Sequence, residues 1–318
     1  MNIKILEYLR CPECLSEVYL KDNPEGKTEI IEDELSCHKC NKTYEIKQGV
    51  PIMTSSLEKD MKKVQKTFSK EWKLHKYGET KTWGLTQEER KAYFLKQMGV
   101  EKSDLKDKTL FDAGCGNGEL TLKLQDYGFK YIIGMDLSNS VFEAYEHNTN
   151  KENIFFVQGD IMKPPFENKS FDYIYSDGVI HHTPNAKFSF SKLADLTKGR
   201  LWVWVYLNLD IINDNPVKLK TFNFLKNIVN KCPVFVQTTI IYAFALPLAT
   251  CLEYVGLLRK RGNWREKVIL IRDGFTPLYD SRHTFNEVEG WFKENKFSNI
   301  ILSDTRQTAG FGMYGDKL

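Results

Sequence analysis

The sequence predicts an α/β fold, with a doubly wound, mostly parallel sheet behind a small metal-tied module and a late helical insertion. Three observations predict it. A short apolar run at residues 109–112 feeds a glycine-rich turn and then a helical pattern. Two further apolar runs lead to acidic residues, Asp136 and Asp160. Upstream of all of these, four cysteines fall into two Cys-x-x-Cys pairs.

Composition sets the outer bounds. A chain of 318 residues with 42% hydrophobic content has room for one large domain and an accessory module. Its 45 basic and 42 acidic residues leave a formal charge of +3, which lacks the strong basic bias of a dedicated nucleic-acid binder. The opening MNIKILEYLRCPEC carries charges where a secretory signal needs an apolar core. With the paired cysteines, this gives the expectation of a reducing, cytoplasmic setting.

Each Cys-x-x-Cys turn aims two thiolates into one hemisphere. Cys11 and Cys14 with Cys37 and Cys40 can therefore close a tetrahedral shell around a structural zinc ion. A module of about 50 residues has too little core to stand alone, so the metal would supply folding energy. Pro24, Glu25 and Gly26 mark a turn between the pairs, and His38 reads as a bystander. The strings LRCPECLSEVYL and CHKCNKTYEIKQGVPIM resemble the zinc ribbons of small methyltransferase-activator proteins, over roughly residues 1–54. Such modules often sit beside or inside methyltransferases, which the resemblance implies here as well.

Residues 55–82 are lysine-rich, while Met61, Val64, Phe68 and Trp72 recur at helical spacing. One face is thus expected in solvent and the other against the next domain. The segment FSKEW resembles the helix that covers the cofactor in many methyltransferases.

The core begins at residue 109. Strand, glycine turn and helix together are the layout of a nucleotide-binding crevice in an open sheet, where glycine permits tight turns and close ligand approach. The spacing Gly114-x-Gly116-x-Gly118 after Asp112 departs from a dinucleotide fingerprint. The string D-A-G-C-G-N-G resembles motif I of class I S-adenosylmethionine-dependent methyltransferases. That resemblance implies a loop lining the methionine part of S-adenosylmethionine, with Asp112 positioning its amino group.

Asp136 ends the second strand about 20 residues past the loop, where one carboxylate suits both hydroxyls of a ribose. Ser140 and Glu143 read as a capping box. By the same resemblance, Asp160 and Ile161, after a third strand at 154–157, hold the adenine ring. A fourth strand, ending at Ser176, faces the methyl group, and Asp177-Gly178-Val179-Ile180-His181-His182 resembles motif IV of the small-molecule branch. A fifth strand is expected at 201–206, after a reduced turn at Lys198-Gly199-Arg200. The resemblance covers about residues 106–208. It divides the chain into a ribbon (1–54), a linker with cofactor-covering helices (55–105) and a methyltransferase domain (106–318).

Methyl transfer from a sulfonium is a direct displacement that positioning can largely drive. A base is needed only for a protonated nucleophile, and histidine suits that task. His181 and His182 are the candidates at the fourth strand, and His283, ahead of a Thr284-x-x-Glu287 helix start, is a further one. Cys115 reads as a buried filler.

Residues 209–282 form an insertion whose stretch from Val234 through Leu252 carries no charge, flanked by Lys231 and by Arg259, Lys260 and Arg261. Length and flanks would suit a membrane span, yet Gln237, the threonines and Pro247 oppose one, and a span would split the sheet. The reading adopted is a helical cap over the active site, with peripheral membrane contact through 233–258 as the alternative. The expected activity is methyl transfer to a small-molecule, sugar or lipid-linked acceptor. The rival is an RNA methyltransferase gripping nucleic acid through its ribbon.

Overall fold

The computed structural model describes residues 1–22, 28–54, 57–82, 84–208, 216–255, 262–304 and 310–318. The turn expected around Pro24, Glu25 and Gly26, the insertion's first residues (209–215) and the flank Arg259, Lys260 and Arg261 lie outside them.

The ribbon holds four short antiparallel strands in sequential order: β1 (Val18–Leu20), β2 (Asp33–Cys37), β3 (Thr43–Lys47) and β4 (Val50–Pro51). Alternation along β3 buries Tyr44 and Ile46 and leaves its other three residues in water. Two helices follow. The first, α1 (Lys59–Trp72), is strongly amphipathic, and α2 (Gln87–Met98) opens on a Thr86–Glu89 capping box and closes on left-handed Gly99.

The central sheet is built from β5 (Thr109–Ala113), β6 (Tyr131–Asp136), β7 (Ile154–Gln158), β8 (Phe171–Asp177), β9 (Thr197–Tyr206), β10 (Phe297–Asp304) and β11 (Gly310–Lys317). Among the described residues its strand order is β10-β11-β9-β8-β5-β6-β7. Strands β5 to β9 pair in parallel, and β11 runs antiparallel to both neighbours. Helices α3 (Glu119–Lys123), α4 (Ser140–Glu146) and α5 (Ala186–Leu196) link the parallel strands. Covered on both faces, β5 and β7 bury every residue, as continuous apolar runs in parallel sheets do. Strand order reverses between β5 and β8, and ligands of open α/β sheets bind at the carboxyl ends of strands at such a switch point.

Two local expectations change. Helix α4 is capped by Asn139 without a side-chain cap bond, its amide oxygen accepting instead from Gln158 Nε2 at 2.9 Å. The Ser140 hydroxyl pairs with that of Ser138 at 2.5 Å, and the Ser140–Glu143 capping box is absent. Lys198, Gly199 and Arg200 are not a turn but the start of β9. Gly199 is needed there because a Cβ would lie 2.3 Å from the Asp172 carbonyl oxygen.

After β9 come α6 (Pro216–Val229), α7 (Val234–Ile240), a π-helical turn (Ile241–Ala245), α8 (Leu246–Tyr254), α9 (Trp264–Phe275) and α10 (Phe285–Glu294). The π turn precedes Pro247, whose missing N–H and ring disrupt regular α-helical bonding. Helix α10 starts on the Thr284–Glu287 capping box read from the sequence.

The ribbon does not hang free. Met53 N donates to Gln158 O at 2.8 Å, and Leu9 bridges Phe166. Tyr8 packs against Phe171 and Tyr131, with ring centroids 5.9 and 6.0 Å away. Ile5, Leu9, Leu35, Ile46 and Met53 join one apolar core with Phe111, Ile133 and Phe171 of the main sheet.

Candidate active site

A cleft opens at the switch point, where ligands of open α/β sheets bind. Its floor is made by strand ends: Gly114 after β5, Asp136 and Leu137 at β6, and Gly159, Asp160 and Ile161 after β7. Its roof is the apolar face of α1, through Met61, Val64, Phe68 and Trp72. His182, Thr183 and Asp273 also line the cleft.

The glycine loop takes a shape few other residues could follow. Gly114, Gly116 and Gly118 have φ of 96°, 59° and 71°, all left-handed. A Cβ at Gly114 would sit 2.1 Å from Val179, and one at Gly116 would sit 2.1 Å from the Trp72 indole. Trp72 therefore lies directly on the loop.

The acidic residues divide into two kinds. Asp136 accepts from Gly116 N at 2.9 Å and Ser138 N at 2.8 Å, and a carboxylate keeps further lone pairs for a ligand. Asp160 accepts from Met162 N at 2.9 Å and also faces the cleft. Asp112 instead lies beneath the loop, 4% exposed, accepting from the Thr121 hydroxyl at 2.6 Å. Burial pushes its carboxyl up to about 6. The Asn117 amide nitrogen, also buried in the loop, has no protein partner.

Several predicted residues are placed away from the cleft. The Ser176 hydroxyl, fully buried, donates to Ala113 O at 2.9 Å and ties β8 to β5. His181 is fully buried among Tyr206, His182 and Trp204, and desolvation drives its pKa well down. His283 pairs with Glu287 at 2.9 Å and Ser281 at 2.8 Å, and its backbone bonds to Tyr206 and Asn208. It joins α10 to the end of β9 and does not line the cleft.

His182 is the histidine that does. Its Nδ1 lies 2.9 Å from Tyr279 O, and a carbonyl can only accept, so Nδ1 carries the proton. Nε2 of the neutral ring is then left as an acceptor. Burial lowers its pKa and keeps the ring neutral near pH 7.

Two cleft acids are absent from the sequence reading. Glu71, 7% exposed, has Oε2 without a partner, and burial pushes its carboxyl up to about 8. Asp273 accepts from the Tyr206 hydroxyl at 2.9 Å through Oδ2, while Oδ1 has none; burial raises its pKa as well. Each interrupts an apolar pattern in its own helix, which is the signal that could have found them. A buried Arg90–Asp177 ion pair at 3.3 Å stands at the tip of β8. The apolar α7–α8 stretch contributes no residue to the cleft; the insertion reaches it through Asp273 of α9.

In the ribbon the four cysteine sulfurs lie within 4.8 Å of one another, with Cys11–Cys40 at 3.6 Å and Cys14–Cys37 at 3.4 Å. A tetrahedral zinc–thiolate shell needs sulfurs about 3.8 Å apart, so the cluster fits the metal. The Tyr44 hydroxyl lies 3.1 Å from the Cys11 sulfur and can orient it from outside the shell.

Family comparisons agree with both regions. Residues 111–202 match a methyltransferase domain, and residues 2–49 match the Trm112p-like proteins. The chain joins a methyltransferase domain to a Trm112p-like module. A sterol 24-C-methyltransferase of Pneumocystis carinii is 27% identical over 130 residues, covering 38% of this chain and 33% of the relative. A demethylmenaquinone methyltransferase of Staphylococcus aureus is 32% identical over 94 residues, 29% of this chain and 37% of its own length. A tRNA U34 carboxymethyltransferase of Pseudoalteromonas translucida is 32% identical over 81 residues, covering 24% and 25%. The chain thus spans only about a quarter to a third of these relatives' length.

Proposed function

We propose that this chain transfers a methyl group from S-adenosylmethionine to a small, mainly apolar acceptor bearing a hydroxyl or amine. The observation that carries the reading is one cleft lined by two sets of groups: the glycine turn with Asp136 and Asp160, and His182 with Glu71 and Asp273, all beneath an apolar roof. Small acceptors are also named for the sterol and menaquinone relatives.

Bound S-adenosylmethionine supplies an already electrophilic methyl group. The chain's residues then have three tasks. Asp136 holds a ribose diol, and Asp160 with Ile161 flanks the adenine. Trp72 and Phe68 close the cleft from above and exclude water. His182 Nε2 would take the proton of an acceptor hydroxyl as its oxygen bonds to the methyl carbon and the sulfonium sulfur releases that carbon. With an amine acceptor it would strip the ammonium of its proton beforehand, so that the lone pair can attack. The unpartnered oxygens of Glu71 and Asp273 give a polar anchor for that group, since a buried carboxyl without a partner is costly.

RNA methylation is the second reading, favoured by the Trm112p-like match and the tRNA-modifying relative. Against it, much of the ribbon's apolar surface is spent on the main sheet. Incubation of the purified protein with methyl-tritiated S-adenosylmethionine and a total lipid extract, or total RNA, separates the two. Label in the solvent-extractable fraction is expected. Label in RNA alone would replace this reading with the second.

A further inference from the structure

A broad apolar surface lies on the insertion, outside the lining of the cleft. From Val234 to Tyr254 the chain is helical for 21 residues; its most apolar 18-residue window has a mean hydropathy of 1.7, yet only 11% of that window is buried. Phe235, Phe244, Leu248 and Tyr254 are 68%, 70%, 60% and 92% exposed, and on neighbouring α6 Phe224 is 65% exposed. Soluble proteins seldom leave large contiguous apolar patches open to water, and such patches mark interaction surfaces.

The helix is nevertheless fastened along one side. Gln237, fully buried, donates to the carbonyls of Val229, Asn230 and Cys232 at 3.2–3.3 Å. Ile241 is 1% exposed, and Glu253 pairs with Lys267 at 2.6 Å with both side chains largely covered. A bilayer span would have to break these contacts and bare the ion pair to hydrocarbon. The geometry is that of a helix lying flat, one stripe on the protein and the rest outward.

Charge identifies the partner. Helix α1 packs beside α7 and α9, and Lys63 donates to Asn230 O at the end of α6. Its exposed Lys59, Lys62, Lys66 and Lys70 recur three or four residues apart and form one ridge, opposite the face that roofs the cleft. A basic ridge bordering an apolar face complements an anionic bilayer surface, where lysines meet headgroups and aromatic rings reach the acyl boundary. Trp264, half exposed and stacked under Arg265 at 5.0 Å, adds a side chain suited to that boundary.

We propose that the outer face of α6 to α8, bordered by the lysine ridge of α1, docks the protein on an anionic lipid bilayer. Because α1 and α9 both wall the cleft, docking would also bring an apolar acceptor to it; this second step rests on the proposed methyl transfer, while docking itself does not.

The test is co-sedimentation of the full chain with vesicles of phosphatidylcholine alone or mixed with phosphatidylglycerol. Binding to the mixed vesicles is expected, weakened at least about tenfold in K62E/K66E and on neutral lipid. The F244D/L248D double variant should lose binding while keeping its affinity for S-adenosylmethionine, which shows that it is folded and that the cleft stands apart from the patch. Failure of the folded wild type to sediment with vesicles would overturn the proposal, as would unchanged binding by F244D/L248D. A dimer in light scattering that the double variant dissolves, without lipid binding, would assign the face to a second copy instead.

Discussion

The ribbon and the insertion are both additions to the same seven-stranded sheet, and they treat apolar surface in opposite ways. The ribbon's sequence is dense in charge, yet Leu9, Leu35 and Met53 are fully buried and continuous with the core of the sheet. The insertion carries the longest uncharged stretch in the chain and buries little of it. The difference teaches that an accessory module's role follows from where its apolar side chains end, not from how many it has. By bonding to Gln158, the ribbon covers the edge strand β7, which would otherwise present unpaired backbone groups. The insertion turns its apolar side chains outward.

That contrast can be broken in order of expected size. Removing zinc with a chelator, or replacing Cys37 by serine, should unfold the ribbon and uncover the core it shares with the sheet. One zinc ion per chain by elemental analysis, and a cooperative loss of thermal stability on chelation, are expected; an unchanged Tm after complete zinc removal would make the ribbon ornamental. Next, Leu9→Ala at the ribbon seam should cost about 2–5 kcal/mol in denaturant unfolding. Leu248→Ala on the insertion should stay within about 0.5 kcal/mol. Equal costs would erase the distinction.

A smaller effect lies in pH. Glu71, pushed up to about 8 from 4.5, holds a proton in the folded chain that the unfolded chain has already released between those values. Its contribution to stability is whole below the ordinary glutamate range and is lost as pH rises toward 8. Tm should therefore fall between pH 6 and 8.5, and Glu71→Gln should flatten that slope. An identical slope in the variant would mean that Glu71 does not keep its proton.

Much of the fold was legible because its signals are local. The parallel strands are built around short apolar runs, such as 154–157 and 201–206, and Gly114, Gly116 and Gly118 announce a turn that left-handed backbone makes. The two cysteine pairs gave the ribbon's thiolate cluster for the same reason, as each pair is a single turn. What the sequence could not show was which way single residues at strand ends and in tight turns face. Ser176 was placed near the methyl group by its strand end, but β8 alternates, and the hydroxyl turns into the sheet toward Ala113. His181 and His182 are adjacent in sequence, and only the fold shows that the first is sealed among aromatic rings and the second lines the cleft. Glu71 and Asp273 lie about 200 positions apart, and no local pattern joins them. The insertion was read as a cap because a span would split the sheet; its uncharged stretch is largely turned outward, and Asp273 of α9 lines the cleft.

The central claim is that the switch-point cleft binds S-adenosylmethionine. Isothermal titration of S-adenosylmethionine into the zinc-loaded full chain, beside an Asp136→Ala variant, tests it most directly. The account predicts saturable one-to-one binding by the wild type, weakened by at least about tenfold in the variant, as expected when a charged hydrogen bond to a ribose is removed. No binding by the folded wild type, or equal binding by Asp136→Ala, would contradict it.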